Sequence, residues 1–320
     1  MTEPESGPGQ AAAASTPITV TSLRAHNGAV ELAIEQVGDQ SGEPLLLIMG
    51  LGTQMIYWPD ELCELFTKAG FAVARMDNRD VGLSTHLDHL GAPSLVKILT
   101  SPKAAASYGL ADMADDAAVV LDALNWPSAH ILGVSLGGMI AQTLAYRHPD
   151  RVRTLTSMMS TPSPSIGRPK ILAMRALLTK PATDHAGAQR NAAATFRAIG
   201  SPGYPMDEAW LHDIAVRAFD RASAGAGGLR QLAAIRADGD RRAELAEVRV
   251  PTLVMHGDGD PLIRPSGGRA TAAAIQGARL VTFPGMGHDL PVELWPRFVA
   301  EISALAFGGE NVSAEKIDSE

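Results

Sequence analysis

Residues 129–147 decide the fold: Ala129-His130-Ile131-Leu132-Gly133-Val134-Ser135-Leu136-Gly137-Gly138-Met139-Ile140-Ala141-Gln142-Thr143-Leu144-Ala145-Tyr146-Arg147. The apolar run Ala129–Val134 reads as a strand buried on both faces. Helical periodicity follows from about Gly137 to Arg147, and Pro149 stops it. Between the two lies Gly133-Val134-Ser135-Leu136-Gly137, a G-x-S-x-G motif. The motif alone is weak, but a strand-turn-helix setting is the one in which it presents a nucleophile. The reason is steric. A serine on so sharp a turn holds a strained backbone, and Gly133 and Gly137 remove Cβ atoms that would collide there. Gly138 lets the helix close on the sheet. Ser135 Oγ then projects over a helix N-terminus, and the Leu136 N–H points toward a developing oxyanion.

Outward from this segment, short apolar runs alternate with helical periodicity, the pattern of a mostly parallel sheet covered on both faces. Strands are expected at residues 18–24, Val30–Val37, 45–49, Phe71–Met76, 154–159, 250–256 and Arg279–Phe283. A helix is expected over about 59–69, ended by Gly70. Another carries Met113, Ala117, Val120, Leu121 and Leu124, with Asp112, Asp115 and Asp116 near its positive end. The last helix sets Phe298, Ile302 and Leu305 on one face. From 161 to 245 the sheet pattern gives way to Ala-, Arg- and Leu-rich helical stretches. These read as a cap inserted into a core of residues 18–160 and 246–307. Residues 1–17 read as a disordered tail and 308–320 as a polar one.

Composition excludes other classes. At 46% hydrophobic and 19% charged, the chain is globular rather than disordered. A net charge of -8 with a pI near 5.6 argues against a nucleic-acid or anionic-lipid footprint. The single cysteine, Cys63, forbids an internal disulfide and falls at an apolar helical spacing, as a buried inert thiol does. No signal peptide and no run of about 20 apolar residues is present, so a membrane span is not expected and a cytoplasmic location follows by default. Oligomeric state is not readable.

A serine needs a base, and the base needs an orienting acid. Of nine histidines, His288 has the right setting, a Gly-rich loop after a strand (Pro284-Gly285-Met286-Gly287-His288). His256 abuts its own turn glycine and reads as structural. For the acid, Gly257-Asp258-Gly259-Asp260-Pro261 follows a strand; Asp260 is the choice and Asp258 the alternative. The loop after residues 154–159 offers no carboxylate before Asp184. A second oxyanion donor is expected from Met49-Gly50-Leu51-Gly52-Thr53, at the Leu51 N–H, with Gly50 and Gly52 allowing close approach.

Together these residues resemble the α/β-hydrolase superfamily from about Ile18 to Phe307, and within it the aclacinomycin methylesterase group. The matching blocks are Leu46-Leu47-Ile48-Met49-Gly50, Trp58-Pro59-Asp60-Glu61, Asp77-Asn78-Arg79-Asp80-Val81-Gly82-Leu83-Ser84-Thr85 and Pro284-Gly285-Met286-Gly287-His288. The resemblance implies an eight-stranded sheet, a helical cap, a Ser135/Asp260/His288 triad, a small-molecule ester substrate and no cofactor. Met49 stands where the superfamily often has His, and Arg79-Asp80 where Arg-Gly is common; both departures fit the methylesterase-like group.

The expected activity is carboxylic ester hydrolysis. Thioester hydrolysis, carbon–carbon bond hydrolysis and perhydrolysis share the same triad, and a ligand-binding protein of this fold is the non-enzymatic alternative. Met174, Leu177, Leu178, Phe196, Trp210, Leu211 and Phe219 are candidates for an apolar pocket, though such spacing more often marks packing. Arg236, Arg241 and Arg242 read as a solvated linker, or alternatively as an anion-binding patch.

Overall fold

The computed structural model describes residues 18–177, 179–222 and 225–308. Eight strands form one sheet: β1 Val20–Asn27, β2 Val30–Val37, β3 Glu43–Ile48, β4 Phe71–Met76, β5 Ala129–Val134, β6 Val152–Met158, β7 Thr252–Gly257 and β8 Arg279–Phe283. Their order is β1-β2-β4-β3-β5-β6-β7-β8. β1 with β2 and β2 with β4 pair antiparallel; every later pairing is parallel. The mostly parallel, two-faced sheet expected from the sequence is therefore present. The ends of β1, β3, β6 and β7 move by one to three residues; at the carboxyl ends of β1 and β7 ladder pairing continues past the apolar run that marks a strand.

Among the described residues twelve α-helices surround the sheet: α1 Asp60–Lys68, α2 Leu95–Thr100, α3 Pro102–Ala105, α4 Leu110–Ala123, α5 Leu136–Arg147, α6 Ile171–Leu177, α7 His185–Ile199, α8 Glu208–Arg221, α9 Gly227–Asp238, α10 Arg242–Leu245, α11 Ser266–Ala274 and α12 Trp295–Phe307. The two-residue period of β3 shows how both faces are used. Leu46 and Ile48 enter one core with Leu121 of α4 and Ile140 of α5. Leu45 and Leu47 enter the other with Phe66 of α1 and Phe298 of α12. Cys63 lies wholly inside that second core, where burial pushes its thiol up to about 12, so it is inert.

The acidic residues of α4 do not all serve its N-terminus. Buried Leu110 draws the helix start back, and only Asp112 lies in the first turn, accepting the Gly109 N–H at 2.8 Å. Asp116 is buried and holds Arg79 through two bonds of 2.6 and 2.7 Å. Asp115 pairs with Arg147 and His148.

Helices α6–α10 lie between β6 and β7. Leu211, with Phe196 and Trp210 beside it, packs against Met55 and Ile56. Phe219 meets the His185 ring edge-on at 5.4 Å, and Met174 is exposed. The Leu177 side chain, Leu178 and the tails 1–17 and 309–320 lie outside the described residues. The arginines form neither an anion patch nor a uniformly solvated linker. Arg241 is buried and bonds Asp238, Gln142 and the Thr161 carbonyl, because it fills the gap between α5 and the chain leaving β6. Arg242 is exposed and closes on Asp240 at 2.7 Å.

Candidate active site

Strands β5, β6, β7 and β8 are neighbours and run parallel, so the loops carrying Ser135, Asp260 and His288 all leave the carboxyl edge of the sheet. Ser135 holds φ 59° and ψ −117°, a strained conformation for a residue with a Cβ. Its neighbours fix it there. The Ser135 N–H donates to Met158 O at 2.9 Å, and its carbonyl accepts from Ser160 Oγ at 2.8 Å and from the Met139 N–H. A Cβ at Gly133 would lie 2.1 Å from Gly137 O, and one at Gly137 would lie 2.0 Å from Ile48 O. One at Gly138 would strike Ser160 Cβ at 2.6 Å, so this glycine seats the helix against the end of β6.

The histidine and the carboxylate meet. Nδ1 of His288 donates to Asp260 Oδ2 at 2.7 Å. Asp260 is 2% exposed, and its Oδ1 accepts the N–H groups of Leu262 and Ile263 at 2.8 and 2.9 Å. Those amides lock the carboxylate, and the bond to Nδ1 fixes the tautomer that leaves Nε2 as the basic nitrogen. The alternative acid, Asp258, instead accepts the Gly285 N–H at 2.7 Å and so braces the loop that carries the histidine. His256 is buried beside the pair: Nε2 donates to Ile263 O at 2.7 Å and lies 3.5 Å from Asp260 Oδ2, and burial holds the ring below the ordinary histidine range.

The segment between β6 and β7 reaches the same loop. The His288 N–H donates to Ile199 O at 2.8 Å, and the Gly203 N–H to Gly285 O at 2.9 Å. Ser201 Oγ accepts the Gly287 N–H and donates to Asp289, whose carboxyl burial pushes up. A Cβ on Gly287 would lie 2.3 Å from Gly200 O, so the two loops touch backbone to backbone.

On the far side of Ser135, the 49–53 loop approaches closely at one glycine only. A Cβ on Gly50 would lie 3.2 Å from Ser135 Cβ. Gly52 has open space around that position and is needed for its φ of 63° instead, which corrects its expected role. Neither the Leu51 nor the Leu136 N–H donates to an acceptor among the described residues. Asn78 Nδ2 donates to Met49 O at 2.9 Å, and Gln231 Oε1 accepts the Gly52 N–H at 2.8 Å.

The 77–85 block supports this loop. Asp77 accepts the N–H groups of Met55 and Leu83 and pairs with Arg221 of α8 at 2.5 Å. Asp80 takes φ 70° and forms a buried pair with Arg230 of α9. Burial opposes ionisation of Asp80, but the bonds from Arg230, the Leu87 N–H and Tyr108 outweigh it and hold its carboxyl below the usual range. Sequence reasoning named Ser135, Asp260, His288, Leu51 and Leu136; it missed Gln231, Ser160, Ser201 and Asp289. Asp289 adjoins the named histidine, whereas Gln231 carries no local signal at all.

Among the described residues no helix is long and apolar enough to cross a membrane. Residues 43–293 match the family model described as the alpha/beta hydrolase fold. Rhodomycin D methylesterase of Streptomyces sp. (strain C5) is 32% identical over 296 residues, covering 86% of this chain and 94% of the relative. Its counterpart from Streptomyces peucetius is 31% identical over 298 residues, covering 87% and 95%. The solved enol-lactonase from Burkholderia xenovorans LB400 shares the fold, with a TM-score of 0.69 at 24% identity over 89% of this chain and all of that one. The chain belongs to the α/β-hydrolase fold family.

Proposed function

We propose that this protein hydrolyses a carboxylic ester by two-step acyl transfer. Ser135 is the nucleophile, His288 its general base and Asp260 the acid that orients the imidazole. The observation that carries the reading is the His288 Nδ1–Asp260 bond of 2.7 Å, on the same sheet edge as a serine held at φ 59°. His288 Nε2 takes the Ser135 proton as Oγ attacks the carbonyl, and the buried Asp260 stabilises the imidazolium. The oxyanion meets the N–H groups of Leu51 and Leu136, which have no protein acceptor among the described residues. His288 then protonates the departing alcohol, and water, activated by the same histidine, frees the acid. Helices α6–α10 act as a cap, consistent with their bonds to the His288 loop. The two methylesterase relatives favour a methyl ester as the substrate.

Ser135→Ala is expected to lower ester turnover by about 10⁴-fold or more and to abolish labelling by an organophosphonate. A panel of methyl esters, longer alkyl esters and acyl thioesters then ranks substrates, with methyl esters expected to lead. Undiminished turnover in the alanine variant overturns the reading.

A further inference from the structure

We infer that Gln231, on α9, is a positioning residue that sets the oxyanion loop; the inference rests on the acyl-transfer reading above. An N–H donor is useful only if its peptide plane is fixed before charge develops. Three consecutive planes of this loop are fixed in turn. The Met49–Gly50 plane is held at its carbonyl by Asn78 Nδ2 at 2.9 Å. The Gly50–Leu51 plane, which carries the Leu51 N–H, is held at its carbonyl by the Thr53 N–H at 3.3 Å. A trans peptide points its N–H opposite its carbonyl, so this bond aims the Leu51 N–H away from Thr53. The Leu51–Gly52 plane is held at its carbonyl by Thr53 Oγ1 and at its N–H by Gln231 Oε1 at 2.8 Å.

Gln231 is the member of this set that comes from outside the loop and the 77–85 block. It is fully buried and uses both ends of its carboxamide: Oε1 accepts from Gly52, and Nε2 donates to Arg79 O at 2.8 Å. That carbonyl belongs to the residue after Asn78, so one side chain ties together the two segments that shape the loop. Its own backbone is anchored next door by the Arg230–Asp80 pair, and by Gly227, where a Cβ would lie 2.1 Å from Asp80 O. Gly52, at φ 63°, is free to rotate unless its N–H is held. The insertion is thus coupled to catalysis through Gln231 and not only through substrate contacts.

The test compares Gln231→Leu and Gln231→Glu in the full chain, with Ser135→Ala alongside. In Q231L both bonds are lost; kcat is expected to fall about 10–100-fold, less than the 10²–10³ for a donor removed outright, with KM unchanged. Q231E supplies a readout that a packing role would not move. Neutral Glu keeps both bonds, since its carbonyl accepts from Gly52 and its O–H donates to Arg79 O, whereas ionised Glu cannot donate. Its kcat is therefore expected to approach the wild-type value at low pH and to decline as pH rises, relative to the wild-type profile. A folded Q231L with wild-type kcat, a loss confined to KM, or a Q231E profile parallel to wild type each overturns the role. If Q231L does not fold, the Q231E profile decides alone. Loss of turnover in S135A with no effect of Gln231 removes only this inference; full turnover in S135A removes the acyl-transfer reading itself.

Discussion

Ser135 and Asp80 are side-chain-bearing residues held at positive φ in turns beside the site, and they are held there by different means. Ser135, after β5, sits at φ 59°, and Asp80, shortly after β4, at φ 70°. Both conformations cost of order 1–3 kcal/mol. Ser135 is held by the backbone: its N–H and carbonyl are bonded, glycines remove the clashes around it, and its hydroxyl remains uncommitted. Asp80 is held by its side chain. Its carboxylate accepts from the Leu87 N–H and Tyr108 Oη at 2.7 Å each, and from Arg230 at 2.6 and 2.9 Å. If Ser135 is the nucleophile proposed, its turn must be strained without using the hydroxyl, whereas a turn that anchors a helix can use its whole side chain.

The largest effect that distinguishes them is expected at Asp80. Replacing it with glycine relieves the backbone but strips Arg230, which is 1% exposed, of its bidentate partner. Asp88, 63% exposed, and the Gly91 carbonyl remain to it. The Leu87 N–H and Tyr108 Oη lose their acceptor as well. A net loss of about 3–5 kcal/mol is expected in urea unfolding, since a buried charge left with only an exposed carboxylate, together with two donors stripped of their acceptor, outweighs the strain relieved. Asp80→Gly combined with Arg230→Met is expected to recover most of that loss, because the larger part of the penalty belongs to the buried charge that has lost its buried partner. A double variant no more stable than Asp80→Gly would show that α9 is held by something other than this pair.

At the Ser135 turn the corresponding weak point is the flanking glycine. A methyl at Gly133 would lie 2.1 Å from Gly137 O and 2.6 Å from Gly138 N, both backbone atoms that no rotamer change can move. Gly133→Ala is expected to cost about 3 kcal/mol and to disable organophosphonate labelling together with stability, measured on the same preparation. Retained labelling at reduced stability would mean that the turn tolerates displacement and that its geometry is less demanding than its contacts indicate.

This contrast also explains what the sequence made legible. The Ser135 turn depends on local steric rules, so Gly133, Gly137, the preceding apolar strand and the following helix announce it within residues 129–147. The parallel sheet was readable for the same reason, since β3 and β5 bury both faces and appear as continuous apolar runs. Asp260 and His288 were readable from loop position after a strand, and their contact followed from sheet order. Asp80 and Gln231 are different. Their partners lie 150 and 179 residues away, at Arg230 and Gly52, and nothing in an Ala- and Arg-rich helix marks which face meets the sheet. The same blindness put Arg241 in a solvated linker when it is buried, and gave Gly52 a packing role when its φ is what matters.

The smallest effect is the sharpest discriminator, because it applies the same substitution to the other turn and reverses the sign. Ser135→Gly removes the Cβ at φ 59° while leaving every backbone bond of the turn available: Ser135 N–H to Met158 O, and Ser160 Oγ and the Met139 N–H to Ser135 O. No buried partner is orphaned, since the serine hydroxyl makes no hydrogen bond among the described residues. Relief of about 1–3 kcal/mol is offset by the greater freedom glycine gains in the unfolded chain, about 0.5–1 kcal/mol. A net stabilisation of about 1 kcal/mol is expected in the urea midpoint of a protein that has lost its activity. Glycine would then stabilise one turn and destabilise the other, though both residues occupy nearly the same φ. A loss of stability in Ser135→Gly would mean that the hydroxyl contributes to folding, and that the two turns are held in the same way after all.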